Sequence, residues 1–193
     1  METLRYEVDG DGIATITIDV PGKSMNVINA KLMEELDGVI DKVAGDDAVK
    51  GAIVTSGKAS GFGAGADLDM MGSQAGAAAT PTDVFENSMS LSRTLRKLET
   101  SGKPWAAALN GLAMGGMLEI ALACHYRVSA DNPKIQYGLP EVKVGLLPGA
   151  GGTQRLPRLM GVQASLPYLL QGKSMSPKEA LAATVVNEVV PAE

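Results

Sequence analysis

Three times along this chain an apolar, strand-like run stops at a cluster of glycines and gives way to a helix-like segment. The first joint is GKASGFGAGAD, with glycines at 57, 61, 63 and 65 after the run GAIVTS of residues 51–56. The second runs from Trp105 to Glu119, WAAALNGLAMGGMLE. Here an uncharged stretch from Trp105 to Leu109 breaks at Asn110-Gly111, passes Gly115-Gly116 and restarts as the apolar LEIALACHY. In the third, glycines at 145, 149, 151 and 152 precede a helix predicted for Thr153 to Met160. A helix begins with backbone N–H groups that have no partner inside it. Each joint therefore offers donors where a strand ends, the usual anion site of a helix N-terminus. Glycine also lets a ligand touch the backbone without meeting a Cβ. Packing alone is the competing explanation, since the same glycines let a helix lie close to a strand. The first joint reads equally as a surface loop or as an anion nest. It is too long, and wrongly spaced, for the G-x-G-x-x-G fingerprint of dinucleotide binding.

Between the joints the periodicity is plain. Leu4 to Val8 and Ile13 to Asp19 alternate apolar with polar residues around Asp9-Gly10-Asp11-Gly12, which predicts a hairpin. Asn29 is placed to cap a helix carrying Leu32, Leu36, Ile40 and Val43 on one face and ending near Gly45. A short helix is expected to start near Ala66, followed by small-residue filler, expected to be mobile, from Gly72 to Thr80. Thr80-Pro81-Thr82-Asp83 opens a long helix with Phe85, Met89, Ser92, Leu95 and Leu98 expected to face inward. Short strands are predicted for Tyr126 to Ala130 and Lys134 to Tyr137. A helix follows at Ser165 to Gln171, a capping box at Ser176-Pro177-Lys178-Glu179, and a last strand at Val185 to Val190. The succession strand, strand, helix predicts stacked ββα turns in a layered α/β domain.

Composition narrows the function classes. The chain has 193 residues, 45% of them hydrophobic, which suits one domain with a sizeable core. A net charge of −5 carries no basic footprint for nucleic acid or an anionic membrane. No long apolar run suggests membrane insertion, and METLRYEVDGDG is not a signal peptide. One cysteine, Cys124, excludes an internal disulfide and the usual cysteine zinc site, so a reducing, cytoplasmic setting is expected. Any nucleophile–histidine mechanism would have to use His125, the one histidine, which reads instead as a residue at a helix C-terminus.

Two acids stand out in apolar company. Glu119 lies just inside the helix after the second joint, and Glu141 follows Gly138-Leu139-Pro140, where the proline restricts the approach. Two N–H groups converging on one oxygen form an oxyanion hole. Two carboxylates sharing a water suit its addition or removal, because coupled burial pushes their pKa values apart. Sequence separation says nothing about whether these groups meet.

SGFGAGADLDMM, LNGLAMGGMLEIALAC and YGLPEVKVGLLPGAGGTQRLPRLMG closely resemble, in order, the motifs of the crotonase, or enoyl-CoA hydratase, family. PGKSMNVI is most similar to the N-terminal hydratase region of the large multifunctional fatty-acid oxidation subunits. The resemblance implies a crotonase-like spiral of ββα turns over residues 1–193 and an acyl-CoA thioester substrate, with no cofactor beyond the coenzyme A that the substrate carries. It also implies a cytoplasmic homo-oligomer, trimer-based in the family, or a place in a larger multifunctional chain. Ala66 and Gly116 match the oxyanion-hole N–H groups. Glu119 matches the base toward water and Glu141 the proton donor to Cα. Ala64, Asp67 and Leu68 match the substrate-binding stretch, with no metal. Lys23 and Lys58 are weaker matches for the coenzyme A phosphates.

Three departures qualify the match. Met117 stands where a third glycine is usual and His125 where an aspartate is common. The family also continues past residue 193 into helices that close the acyl pocket, so a chain truncated at its C-terminal end is expected, with apolar surface exposed near Leu166, Leu169, Leu170, Leu181 and Val186. The implied activity is reversible hydration of trans-2-enoyl-CoA to 3-hydroxyacyl-CoA in fatty acid β-oxidation. The alternatives are a CoA-ester-binding domain with little turnover and a 3,2-enoyl-CoA isomerase.

Overall fold

The computed structural model describes residues 1–67 and 80–192. Strands β1 (Leu4–Val8) and β2 (Ile13–Ile18) form the predicted antiparallel hairpin, and helix α1 (Ala30–Gly45) crosses to β3 (Gly51–Ser56). The short β4 (Gly61–Gly63) follows, then helix α2 (Pro81–Glu99), β5 (Trp105–Leu109), β6 (Leu112–Met114) and helix α3 (Gly116–Ala123). Beyond them come β7 (Tyr126–Asp131), β8 (Tyr137–Gly138), a 3₁₀ turn (Pro140–Val144), helices α4 (Gly152–Met160) and α5 (Val162–Gln171), β9 (Ser174–Met175), α6 (Pro177–Ala182) and β10 (Glu188–Pro191).

The strands divide into two sheets. One runs β1-β2-β3-β5-β7-β10, parallel from β2 onward, and the other runs β4-β6-β8-β9. The turns that begin at β3, β5 and β7 each lay a long strand in the first sheet, a short one in the second, and then a helix. That is the expected ββα spiral. The short strands β4 and β6 were not separable from the glycine joints in the sequence, because three residues show no alternation.

Local signals account for most of the elements. The Asn29 side chain accepts the Leu32 N–H at 2.8 Å and starts α1, whose Leu32, Leu36, Val39, Ile40 and Val43 are buried. Full burial of such side chains stabilises the fold by roughly 1.5–3 kcal/mol each. Thr80 with Asp83 and Ser176 with Glu179 form reciprocal capping boxes at α2 and α6. All eight residues of α3 are buried, and a helix apolar on every side belongs inside the molecule.

Between the sheets sits Asn26, fully buried. Its side chain accepts the Val20 N–H and donates to the Ile18 carbonyl, the Ser56 hydroxyl and the Phe62 carbonyl, joining the ends of β2, β3 and β4. Glu35 performs a similar service at the N-terminus, accepting from the N–H groups of Glu2 and Thr3 and from the Thr3 hydroxyl.

Several expectations need correction. Phe85 is 56% exposed rather than inward, since only the second half of α2 packs, through Thr94, Leu95 and Leu98. Ala66 does not start a helix. It forms an isolated parallel bridge with Ile28, and both the body of the helix expected near it and the filler expected from Gly72 on lie outside the described residues, up to 79. The strand expected at Lys134 to Tyr137 reduces to Tyr137–Gly138. Leu166, Leu170 and Leu181 are exposed as expected, whereas Val186 is buried. Among the described residues no helix is long and apolar enough to cross a membrane.

Candidate active site

The three glycine joints converge at the start of α3. Gly115 occupies the N-cap position with φ +56° and no side chain caps the helix. The first helical N–H to bond back is that of Glu119, to the Gly115 carbonyl at 3.0 Å. The N–H groups of Gly116, Met117 and Leu118 are thus left without a backbone acceptor among the described residues. The first joint lies directly against this end. In the bridge to Ile28, the Gly65 carbonyl accepts the Ile28 N–H at 2.8 Å and the Asp67 N–H donates to the Ile28 carbonyl at 3.0 Å. An extended chain alternates its polar groups, so the Ala66 N–H points the other way and has no backbone partner among the described residues. A Cβ built on Gly65 would stand 3.6 Å from the Gly116 nitrogen, and one on Gly115 would stand 3.5 Å from the Gly65 Cα. The backbone is what calls for glycine at both positions, with φ of +97° at Gly65 and +56° at Gly115.

Both predicted acids border the same spot. Glu141, on the 3₁₀ turn, brings Oε1 to 3.0 Å from where a Gly115 Cβ would be, while Glu119 brings Oε2 to 3.9 Å from a Cβ on Gly116. The two carboxylates therefore flank the Gly115-Gly116 pair, although 22 positions separate them in the chain (141 − 119). Glu119 is 2% exposed, and its Oε1 accepts the Gly152 N–H at 2.7 Å. The third joint is thus part of the site. Burial pushes the Glu119 carboxyl up to about 7. The negative charge of Glu141 adds to the rise, while the N–H groups of Gly152 and Ala150 and the charge of Arg155 oppose it. Burial also raises the Glu141 carboxyl, whose Oε2 is buried with no hydrogen-bond partner among the described residues. An unpartnered buried carboxyl oxygen beside free N–H groups is suited to a guest.

The remaining candidates are placed as follows. Ala64 and Ala66 are exposed along the loop, with the Ala64 N–H on the Asn26 carbonyl at 2.9 Å. Asp67 pairs with Lys23 at 3.2 Å, and Lys58 pairs with Asp19 at 2.8 Å. Leu68 lies outside the described residues. Met117 does not crowd the N–H groups. Its side chain fills the space over Gly63, where a Cβ would come within 2.6 Å of its Cγ. His125 is taken up by the scaffold: Nδ1 accepts the Trp105 N–H at 3.0 Å and Nε2 faces the Glu99 carbonyl at 3.2 Å. It serves the end of α2 rather than its own helix, and both ring nitrogens are engaged, which removes the one base a nucleophile–histidine mechanism would need. Among the described residues no group of three or more histidine, cysteine or carboxylate side chains could hold a metal ion.

Sequence reasoning missed four contributors. Gly152 grips Glu119, Ile28 and Leu91 stand over Gly116, and Arg155 bonds the Ala150 carbonyl at 2.7 Å and the Glu99 carboxylate at 2.6 Å. The GAGG run was the available signal for Gly152. Nothing in the linear pattern joins Arg155 to Glu99.

A family model described as enoyl-CoA hydratase/isomerase matches residues 9–193. The fatty acid oxidation complex subunit alpha of Idiomarina loihiensis is 47% identical over 98% of this chain, and that of Shewanella halifaxensis is 45% identical over 98%. The chain spans 26% of the length of each. Among solved structures, an enoyl-CoA hydratase from Geobacillus kaustophilus superposes with a TM-score of 0.90 at 35% identity, over 100% of this chain and 69% of that one. An enoyl-CoA hydratase from Bacillus anthracis superposes at 0.87 with 29% identity, over 98% of this chain and 70% of that one.

Proposed function

Since the chain belongs to the enoyl-CoA hydratase/isomerase family, we propose that it catalyses the reversible addition of water to trans-2-enoyl-CoA, giving 3-hydroxyacyl-CoA, as a step of fatty acid β-oxidation. The observation that carries this reading is the pair of carboxylates flanking Gly115-Gly116 beside unpartnered N–H groups. Hydration needs those parts. The thioester oxygen accepts from the N–H groups of Ala66 and Gly116, which stabilise the negative charge that develops on it. Ionised Glu119 takes a proton from water as the water oxygen bonds to C3. The π electrons of the C2–C3 bond move toward C1 to give an enolate, and protonated Glu141 delivers a proton to C2. The pair begins with one proton, on Glu141, and ends with one, on Glu119. That end state is the starting state for dehydration, so one shared proton serves both directions. Burial raises both carboxyls above the usual carboxylate range, which suits groups that must take up and release a proton.

Ala64, Asp67 and Leu68 are assigned to the coenzyme A portion of the substrate, with Lys23 and Lys58 nearby but each already paired to an acid. Both acids are retained, which favours hydration over 3,2-isomerisation. We further assign the chain to a homo-oligomer or to a larger multifunctional polypeptide acting in the cytoplasm; the match to about a quarter of each oxidation-complex subunit supports the larger polypeptide. Loss of enoyl-thioester absorbance on adding the protein to crotonyl-CoA tests the reaction. Conversion of a 3-enoyl-CoA with crotonyl-CoA untouched would assign an isomerase. Calorimetric binding of crotonyl-CoA with no turnover of either would assign a CoA-ester-binding domain.

A further inference from the structure

Arg155 sits where electrostatics disfavours a cation. It is the fourth residue of α4, near the positive end of the helix dipole. Its guanidinium folds back over the helix start, so close that a Cβ on Gly151 would lie 2.1 Å from Nη1. Gly151 itself has φ +108°, so the sequence keeps a glycine there on two counts. Nη1 donates to the Ala150 carbonyl at 2.7 Å, and Nε donates to Glu99 Oε1 at 2.6 Å, across from the end of α2. The arrangement thus joins α2, the GAGG loop and α4 at one point, two residues from the N–H that Glu119 accepts.

We infer that Arg155 is a positioning residue of this site: clamped between the Glu99 carboxylate and the Ala150 carbonyl, it fixes the loop whose Gly152 N–H grips Glu119, and it sets a positive charge that acts on Glu119. The inference rests on the hydratase reading for its kinetic consequence alone. The charged groups acting on Glu119 are Glu141 from the 3₁₀ turn and Arg155 from α4. The groups that meet the glycines beside Glu119 are apolar: Ile28 and Leu91 at Gly116, Leu139 and Pro148 at Gly152. Arg155 is thus the cation that opposes the proton on Glu119, and Glu99 tempers it from the far side. Glu99 is itself held ionised against burial by Arg155 and Arg96.

The charge argument gives opposite signs for the two partners. Arg155→Met removes the cation, which moves the Glu119 titration to higher pH by about one unit, the low end for loss of an opposite charge. Glu99→Gln keeps an acceptor for Arg155 but removes the tempering charge, which moves it to lower pH. Arg155→Lys keeps the charge and returns the titration toward the wild-type position. The titration is read from the infrared carbonyl band of the protonated carboxyl, assigned by its loss in Glu119→Gln. The pH optimum of crotonyl-CoA hydration moves with it. In Arg155→Met kcat falls on the order of tenfold at neutral pH, with KM nearly unchanged. If Arg155→Met and Glu99→Gln shift the band in the same direction, or neither shifts it in folded protein, the inference is wrong. A rate loss equal at every pH overturns it too, since that would mark a purely structural residue. Should the wild type fail to hydrate crotonyl-CoA while the band shifts in opposite directions, the hydratase reading fails and the role of Arg155 stands. Should Arg155→Met not fold, the sign of the Glu99→Gln shift decides.

Discussion

Replacing Glu119 by glutamine should lower turnover steeply and yet stabilise the protein, and only above about pH 5. The carboxyl is 2% exposed and titrates at about 7 rather than near 4.5. A carboxyl whose folded pKa is raised binds its proton more tightly when folded. Its contribution to stability is therefore intact below the unfolded pKa and is lost as pH rises through the folded one. The loss approaches the pKa difference, (7 − 4.5) × 1.36, about 3 kcal/mol, once the pH exceeds 7. Glutamine is nearly isosteric, never ionises, and its side-chain oxygen can still accept the Gly152 N–H, so it avoids this cost. Urea unfolding of both proteins at pH 5 and pH 8.5 makes the measurement. At pH 5 the same relation leaves a difference below roughly 1 kcal/mol, and at pH 8.5 the variant should be more stable by roughly 3 kcal/mol. A stability difference that stays constant between the two pH values would refute the claim that burial of a charge, rather than packing, dominates at Glu119.

Other outcomes follow from the same geometry. Gly116→Pro removes the N–H proposed as an oxyanion donor and should lower kcat by about 10²–10³; Gly116→Ala meets the same Ile28 Cδ1 but keeps the N–H, so equal losses in both would deny the donor role. Glutamine at Glu119 or Glu141 should each cost roughly 10²–10⁴ in kcat, and the double variant far less than the product, as the proposed sharing of one proton requires. Multiplicative losses would place the two acids in separate steps. Gly63→Ala should destabilise the chain through its clashes with Met117 and with the Asn26 carbonyl, and Met117→Ala should relieve the first of these; a double-mutant cycle without coupling would contradict the packing. Asn26→Ala strips four buried groups of a partner and should cost several kcal/mol in chemical denaturation; a cost within the error of the measurement would show that water replaces it.

What could be read from the sequence, and what could not, divides along the range of the interactions. The hairpin, the Asn29 cap, both capping boxes and the apolar α3 are local: each is decided by residues within a few positions of one another. The helical period of α2 gave a face but not the length over which a partner covers it, which is why Phe85 was expected inside and stands exposed. Glu119 and Glu141 could be singled out by their apolar surroundings, and the three glycine joints by their repetition, because those signals also lie in short stretches. Their convergence could not be derived, since it depends on β4, β6 and β8 pairing across successive turns, through strands of two or three residues. Met117 shows the same limit from the other side. Judged against a motif it departs from a glycine position, yet the space for its side chain is made 54 residues earlier (117 − 63), by Gly63. Arg155 is the extreme case. Its meaning lies in Glu99, on another helix, and in a backbone carbonyl that no sequence displays. The residues of this site that can be named from sequence are those that would touch the substrate. The ones that set their charge and aim are visible only after the chain has folded.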